Sequence, residues 1–350
     1  MATKQLTVAF IGTGIMGAPI AGHILDAGYP LRVYNRTKSK ADVLVERGAV
    51  WADDPITCVE GADVVFTMVG FPQDVEELYL AGDGLLTASK PGAYLIDLTT
   101  SSPDLARDIA EAAEVSGRHA FDCPVTGAEV GAVNGTLTAI VGATERDVEP
   151  VRELLETFSS KIFCFGGPGK GQAAKLANQV ALASSMVGMA DALSFAQQNG
   201  LDQEQVRQMI CGGTGRSGAM EQLAPKSIDG DYKPGFMVQH FLKDLGLALQ
   251  VAEEHELALP GADTAFTLYD MLDCIGGTAM GTQAITLLYQ EEADAVAAGL
   301  DWSLYTAAHD DDCECGHDHG HSDDHECTCG HDHGDDHECC GGHGECRCGE

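Results

Sequence analysis

Lys175 and Asn178 stand three residues apart near the start of Gln172–Asn199, a run of small and apolar residues that reads as one helix ending at Gly200. Residues at that spacing share a helix face, so an ammonium and a carboxamide would point into one space. Partial desolvation and the positive end of the helix would both lower the lysine pKa, which suits proton transfer to or from a substrate oxygen. The competing reading is a surface lysine in a salt bridge, the ordinary fate of that residue.

A second constellation lies at the other end of the chain. The apolar run Leu6–Ile11 leads into Gly12, Thr13, Gly14, Ile15, Met16 and Gly17, followed by the helical segment Ala18–Ala27. Strand, glycine pattern and helix in that order are the context a dinucleotide-binding fingerprint requires. Gly12 permits the tight turn, Gly14 lets the backbone approach a pyrophosphate, and Gly17 lets the helix pack on the strand. The helix then presents free N–H groups and partial positive charge to the phosphates. The nucleotide is chosen at the end of the next strand, where an NAD enzyme usually carries an acid for the ribose 2′-hydroxyl. Here the chain reads Asn35, Arg36, Thr37. Asn35 takes the acid's place and Arg36 can grip a 2′-phosphate through its planar fork. This favours NADP(H). If Arg36 only stacks on the adenine, NAD binds as well.

The third constellation is the C-terminal segment. Cys313, Cys315, His317 and His319 form a unit that recurs as Cys327, Cys329, His331 and His333, with His321 and His325 between the two copies. His337, Cys339, Cys340, His343, Cys346 and Cys348 follow. Thiolate and imidazole are ligands for zinc and softer transition ions. The Cys-x-Cys spacing is not that of a structural zinc knuckle, so labile mixed clusters are expected, and zinc, nickel and copper(I) are not separated by spacing. The bland alternative is a solvated acidic tail that binds metal adventitiously. Apart from cysteine the segment has no apolar side chain, so it cannot bury a core and is expected to be disordered.

These elements need a scaffold, and 350 residues with 44% apolar content can supply two packed domains. Residues 1–166 alternate β-rich runs (Leu6–Ile11, Leu31–Tyr34, Asp63–Thr67, Tyr94–Leu98, His119–Asp122, Leu137–Val141, Ile162–Phe165) with helical segments such as Lys38–Arg47 and Asp104–Ser116. That alternation predicts an α/β fold whose N-terminal part is a Rossmann-type doubly wound parallel sheet. Residues 167–305 read as an all-α substrate and dimerisation domain, with further helices at Asp202–Cys211, Val238–Glu254, Thr264–Cys274 and Gln283–Ala297. Residues 306–350 form the disordered metal-binding tail.

Composition excludes several partners. The net charge of −34 argues against nucleic acid, which needs clustered Lys and Arg. From His309 to Glu350 fourteen residues are acidic and only Arg347 is basic, so −13 of that charge sits in the tail. No unbroken run of 18 apolar residues spans a bilayer, and no signal peptide is visible, so a cytoplasmic protein is expected. The five cysteines outside the tail are accordingly expected as free thiols. The apolar helical segments point to a homo-oligomer.

Four stretches together resemble the β-hydroxyacid dehydrogenase family, which includes 3-hydroxyisobutyrate dehydrogenase and the glyoxylate/succinic semialdehyde and tartronate semialdehyde reductases. They are the glycine fingerprint, the segment from Asp122 through Thr126, Gly127, Gly131 and Gly135, the segment from Gly169 through Lys175 to Asn178, and the stretch from Phe236 to Lys243 and Asp244. They fall in the family's order over residues 1 to about 300. The resemblance implies hydride transfer between the nicotinamide and a short hydroxy acid or aldehyde acid, with Lys175 as acid/base and Asn178 orienting the substrate. Thr126 and Gly127 would offer a hydroxyl and backbone N–H groups to the substrate carboxylate. Relatives often have Ser at the first position and glycine where this chain has Ala128. The resemblance also implies that Lys243 approaches the nicotinamide or substrate and that the segment Asp97 to Thr100 lies beside the cofactor. Their alternatives are an ordinary helix charge and an N-cap for the helix after Pro103. The 6-phosphogluconate dehydrogenases pair the lysine with His-Asn, but no histidine lies between Lys175 and Asn178. Imine reductases usually lack the lysine altogether. Gly218 stands where relatives often carry an aromatic, and Arg216 is a candidate for a second carboxylate. The alternative function is a metal-buffering or metal-sensing protein on a dehydrogenase scaffold.

Overall fold

Strand β1 (Val8–Ile11) is buried along its whole length, which only the centre of a sheet covered on both faces allows. Val8 and Phe10 point into one apolar core, Ala9 and Ile11 into another, the two-residue period of a strand. In the computed structural model, which describes residues 6–305, β1 pairs in parallel with β2 (Leu31–Tyr34) and β4 (Val64–Thr67). With β3 (Val50–Trp51), β5 (Tyr94–Asp97) and β6 (His119–Asp122) the order is β3-β2-β1-β4-β5-β6, all parallel. Strand order reverses between β1 and β4, so a crevice opens at their carboxyl ends, where such sheets bind ligands. A second sheet holds β7 (Val125–Thr126), β8 (Leu137–Val141) and β9 (Ser159–Cys164), with β7 antiparallel to β8 and β8 parallel to β9. Strands β3 and β7 escape sequence reading because two residues carry no periodicity.

The turn after β1 uses its glycines as the spacing implied. Gly12 has φ +97°, and a Cβ there would meet the Met68 carbonyl oxygen at 2.1 Å. A Cβ on Gly17 would lie 1.8 Å from the Gly12 carbonyl oxygen, so only glycine lets the helix Gly17–Asp26 pack this closely. The helix Pro103–Val115 is capped by Ser102, whose hydroxyl accepts from the Asp104 and Leu105 N–H groups. This corrects the N-cap alternative for the segment Asp97 to Thr100.

From Lys170 the described chain is helical. Lys170–Gln198 spans 29 residues, and Met186, Met189 and Leu193 pack against Phe241 and Leu245 of Val238–Glu254 and Tyr269 and Leu272 of Pro260–Leu272. By length and composition this helix is apolar enough to cross a bilayer, although polar residues interrupt its apolar run; its buried face is the spine of the helical core. The expected helix Gln283–Ala297 is two elements, a 3-10 helix Thr282–Tyr289 and an α-helix Glu292–Ala297. Gln283 is buried and donates to the carbonyls of Asp231 and Lys233, which ties the first element to the chain before Val238–Glu254. Cys58, Cys123, Cys164, Cys211 and Cys274 are free. The expected disordered tail with its metal ligands lies outside the described residues.

Asp97 closes β5 with a buried carboxylate that accepts from the Thr67 hydroxyl at 2.8 Å and the Thr99 N–H at 3.0 Å. Burial pushes its pKa up to about 6 against the pull of those bonds. The folded chain therefore keeps a proton that the unfolded carboxylate has already released, and stability falls as pH rises from the ordinary carboxylate range through about 6. Two pKa units correspond to about 3 kcal/mol. We expect Asp97→Asn to gain stability relative to the parent by roughly 1–3 kcal/mol on going from pH 4 to pH 8, read by urea denaturation at both values. A difference that does not change with pH would show the carboxyl to be unperturbed.

Candidate active site

Asp122, the last residue of β6, is buried, and its two oxygens accept from the Gly169 N–H at 2.8 Å and the Gln172 N–H at 2.7 Å. An anion thus caps the amino end of the helix Lys170–Gln198, where unpaired N–H groups and the helix dipole favour it. The approach is close: a Cβ on Gly171 would stand 2.7 Å from the carboxylate and one on Gly142 2.0 Å from it. Burial pushes the Asp122 pKa up, opposed by the backbone N–H groups. Gln172 adds a second bolt. Its side chain accepts from the Ser101 N–H at 2.9 Å and donates to the Thr99 carbonyl at 2.8 Å. The helix is therefore fastened to the carboxyl ends of β5 and β6.

One turn further on is Lys175, 8% exposed. Burial pulls its pKa below the ordinary lysine value, with Asp244 opposing and Lys243 adding to the fall. Its side chain enters no hydrogen bond or ion pair with other described residues, so its ammonium is available to a ligand. Around it runs a chain of polar contacts across three elements. The Asn178 amide donates to Gln179 at 2.9 Å, and Gln179 donates to Asp244 at 2.6 Å. Asp244 lies 3.1 Å from the Lys243 ammonium, which donates to the Thr100 carbonyl. Lys243, read as either a site residue or a helix charge, is mostly buried and tied to the loop after β5.

Thr126 pairs with Thr138 across β7 and β8, and Gly127 follows with φ +131°. Ala128 then has φ +53°, a left-handed conformation costing a residue with a Cβ roughly 1–2 kcal/mol. This is the position at which the resemblance implied glycine. The helix Ala128–Asn134 that starts here is tied to the fingerprint helix by His23, whose Nε2 lies 3.0 Å from the carbonyls of Ala132 and Val133. No hydrogen bond among the described residues links Thr126 or Gly127 to Lys175.

The glycine loop fits a dinucleotide. A Cβ on Gly14 would find nothing within 4 Å, so space stands open in front of the loop, and Ile15 is exposed at its tip beside Met16. The hydroxyls of Thr13 and Ser101 are buried without partners. Asn35 differs from its expected place facing the ribose. Its oxygen accepts from the Thr13 N–H at 3.0 Å and its amide donates to the Thr37 carbonyl at 2.9 Å, so it clamps the loop. Arg36 is exposed and lies 3.2 Å from Asp74. Arg216 pairs with Glu221 at 2.6 Å instead of standing free for a carboxylate, while a Cβ on Gly218 meets open space.

Sequence reasoning assigned no role to Asp122, Gln172 or Gln179. Asp122 stood in a quoted motif, but its partners are 47 and 50 residues away. The two glutamines bond across 65 to 73 residues and carry no local pattern.

Comparison with known proteins agrees with this arrangement. Residues 7–166 match the family model of the NAD binding domain of 6-phosphogluconate dehydrogenase. Residues 169–289 match the model described as NAD-binding of NADP-dependent 3-hydroxyisobutyrate dehydrogenase. An oxidoreductase of Bacillus subtilis is 44% identical over 283 residues, 81% of this chain and 98% of that protein. The NAD-dependent L-serine dehydrogenase of Pseudomonas aeruginosa is 39% identical over 272 residues, 76% of this chain and 91% of that one. The solved structure of Mycobacterium tuberculosis 3-hydroxyisobutyrate dehydrogenase with L-serine is similar at a TM-score of 0.74 and 30% identity, covering 82% of this chain and 99% of that one. The chain belongs to the β-hydroxyacid dehydrogenase family, NAD(P)-dependent oxidoreductases that include the 3-hydroxyisobutyrate dehydrogenases.

Proposed function

We propose that the protein transfers hydride between NADP(H) and a short 3-hydroxy acid or aldehyde acid of the 3-hydroxyisobutyrate, glyoxylate, succinic or tartronate semialdehyde class. The observation that carries this reading is the mostly buried Lys175, whose ammonium has no partner among the described residues, on a helix bolted to the carboxyl edge of the sheet. When bound, the nicotinamide supplies or accepts the hydride. Lys175 gives a proton to the carbonyl oxygen in reduction and takes it back in oxidation. Asn178, oriented by Gln179, holds the same oxygen in line. Thr126 and the backbone at Gly127 bind the carboxylate. Gly12, Thr13, Gly14 and Gly17 cradle the pyrophosphate, Ile15 and Met16 flank it, and Thr37 continues the loop that Asn35 clamps. Lys243, fastened to the Thr100 carbonyl, holds the helix Val238–Glu254 against the cofactor edge.

Two relatives support the substrate class: one is named for L-serine dehydrogenation and one was solved with L-serine, itself a 3-hydroxy acid. Arg36 and the NADP-dependent description of the second family model support NADP, while the NAD-dependent relative makes NAD the comparator. Phe195, Leu201 and Met209 are exposed on the helical half and support a homo-oligomer. The Cys/His-rich tail, with zinc or another transition metal, is read as a separate module whose support is its sequence alone. A metal-buffering protein on a dehydrogenase scaffold is the second reading that this tail favours.

Three outcomes are expected. Lys175→Ala lowers kcat for reduction by about 10²–10⁴-fold in a panel of aldehyde acids while NADPH binding by fluorescence persists; parental turnover in the variant would remove the lysine from the chemistry. The parent's reduction rate falls on the alkaline side, where Lys175 loses its proton, at a pH below the ordinary lysine value, and oxidation gains over the same interval. Deleting residues 306–350 abolishes zinc stoichiometry measured by mass spectrometry and leaves turnover intact. Loss of turnover together with metal would show that the tail and the enzyme are not separable, whereas a parent that binds zinc and turns over no aldehyde acid would favour the second reading.

A further inference from the structure

The side chain proposed to read the 2′-phosphate already has a partner. Arg36 follows β2 and is 79% exposed, and its guanidinium lies 3.2 Å from an oxygen of Asp74, which is 22% exposed. Asp74 is the third residue of the helix Pro72–Leu80, in the connection after β4. Its other oxygen accepts the Phe71 N–H at 3.1 Å. The two ends of the pair therefore differ in freedom. The guanidinium rides on a long side chain in water and can swing. The carboxylate is pinned by a backbone bond at the amino end of a helix, where its charge is favoured. A phosphate arriving beside Arg36 can draw the guanidinium away but leaves Asp74 where it stands.

We propose that Asp74 is a specificity-determining residue for the dinucleotide: a fixed carboxylate that competes with the 2′-phosphate for Arg36. It thereby holds down affinity for NADP(H) and keeps NAD(H) usable. The inference rests on the reading of Arg36 as the 2′-phosphate partner. Its physics is a charge balance. A phosphate monoester carries about −1.5 to −2, and the Arg36–Asp74 pair presents it with no net charge, whereas Arg36 alone presents a full positive one. Lys38 and Lys40 follow on the same loop, with the Lys38 ammonium 5.3 Å from the Trp51 ring. Asp53 accepts from the indole N–H of that tryptophan, and Asp74 is the carboxylate that pairs with Arg36. A ribose 2′-hydroxyl is uncharged and gains nothing when the carboxylate is removed. Because Asn35 already bonds Thr13 and Thr37, the discrimination falls on the neighbouring charges.

The test uses the full chain and measures dissociation constants for 2′-phospho-ADP-ribose and ADP-ribose by calorimetry, at low and high salt. Asp74→Asn keeps an oxygen for the Phe71 N–H and removes the charge. The expected result is an affinity for 2′-phospho-ADP-ribose about three- to tenfold tighter, with ADP-ribose changed less than twofold and the gain shrinking at high salt, as screened exposed charges require. Asp74→Ser, which also removes the charge, is expected to reproduce the gain, and thermal denaturation of both variants reports whether the helix start is intact. Equal loss of affinity for both ligands would reduce Asp74 to a helix cap and overturn the proposal. So would unchanged affinities, provided that Arg36→Ala still weakens 2′-phospho-ADP-ribose; the reading of Arg36 would then stand without Asp74. If Arg36→Ala leaves 2′-phospho-ADP-ribose binding untouched, that reading fails and takes the proposal with it.

Discussion

A buried carboxylate at the end of one strand meets the exposed N–H groups at the start of one helix, and the geometry of the whole site follows from that meeting. Asp122 accepts from Gly169 and Gln172 in the interior, where an unpaired carboxylate or an unpaired N–H would each be costly. The bond fixes where the 29-residue helix begins. Since Lys175 is one turn along, it also fixes where the ammonium stands relative to the sheet edge. The glycines at 142 and 171 are consequences of the same contact, because a Cβ at either would collide with the carboxylate.

The electrostatics around Lys175 are arranged so that its charge is neither matched nor abandoned. Asp244 lies near enough to oppose the fall in its pKa but is engaged by Gln179 and Lys243. Lys243 in turn is held by the Thr100 carbonyl. A buried ion pair between Lys175 and Asp244 would have kept the lysine cationic and unreactive. Instead the carboxylate accepts from the Gln179 amide and pairs with Lys243, while burial holds the Lys175 pKa below its ordinary value. A lowered lysine pKa eases the release of its proton.

The nucleotide half shows the same economy of backbone contacts. Asn35 holds the glycine loop through Thr13, and His23 links the fingerprint helix to the helix that starts beyond Gly127. The strained Ala128 sits in that second connection, between the strand bearing Thr126 and the helix that His23 grips. The helices that follow the cofactor loop and the proposed carboxylate-binding turn are thus joined through the His23 imidazole.

The amino-acid sequence determined the elements with strong local signals. Alternating strand–helix pattern, a glycine fingerprint behind a strand and a long apolar helix made the doubly wound sheet, the helical half and the shared helix of Lys175 and Asn178 legible, because period, glycine spacing and helix termini are properties of neighbouring residues. Two-residue strands left no period to read. Gln283 reaches backbone carbonyls about fifty residues away, a contact that no local pattern marks. Tertiary structure alone decided which polar groups meet: that Asp122 caps the helix bearing Lys175, that Gln179 and Lys243 divide Asp244 between them, that Asn35 clamps a loop and that Arg36 faces Asp74. Apart from Lys243 and its neighbour Asp244, these contacts join residues 22 to 65 positions apart in the chain, and only the packing of the sheet edge against the helices brings their charges and hydrogen-bonding groups within reach.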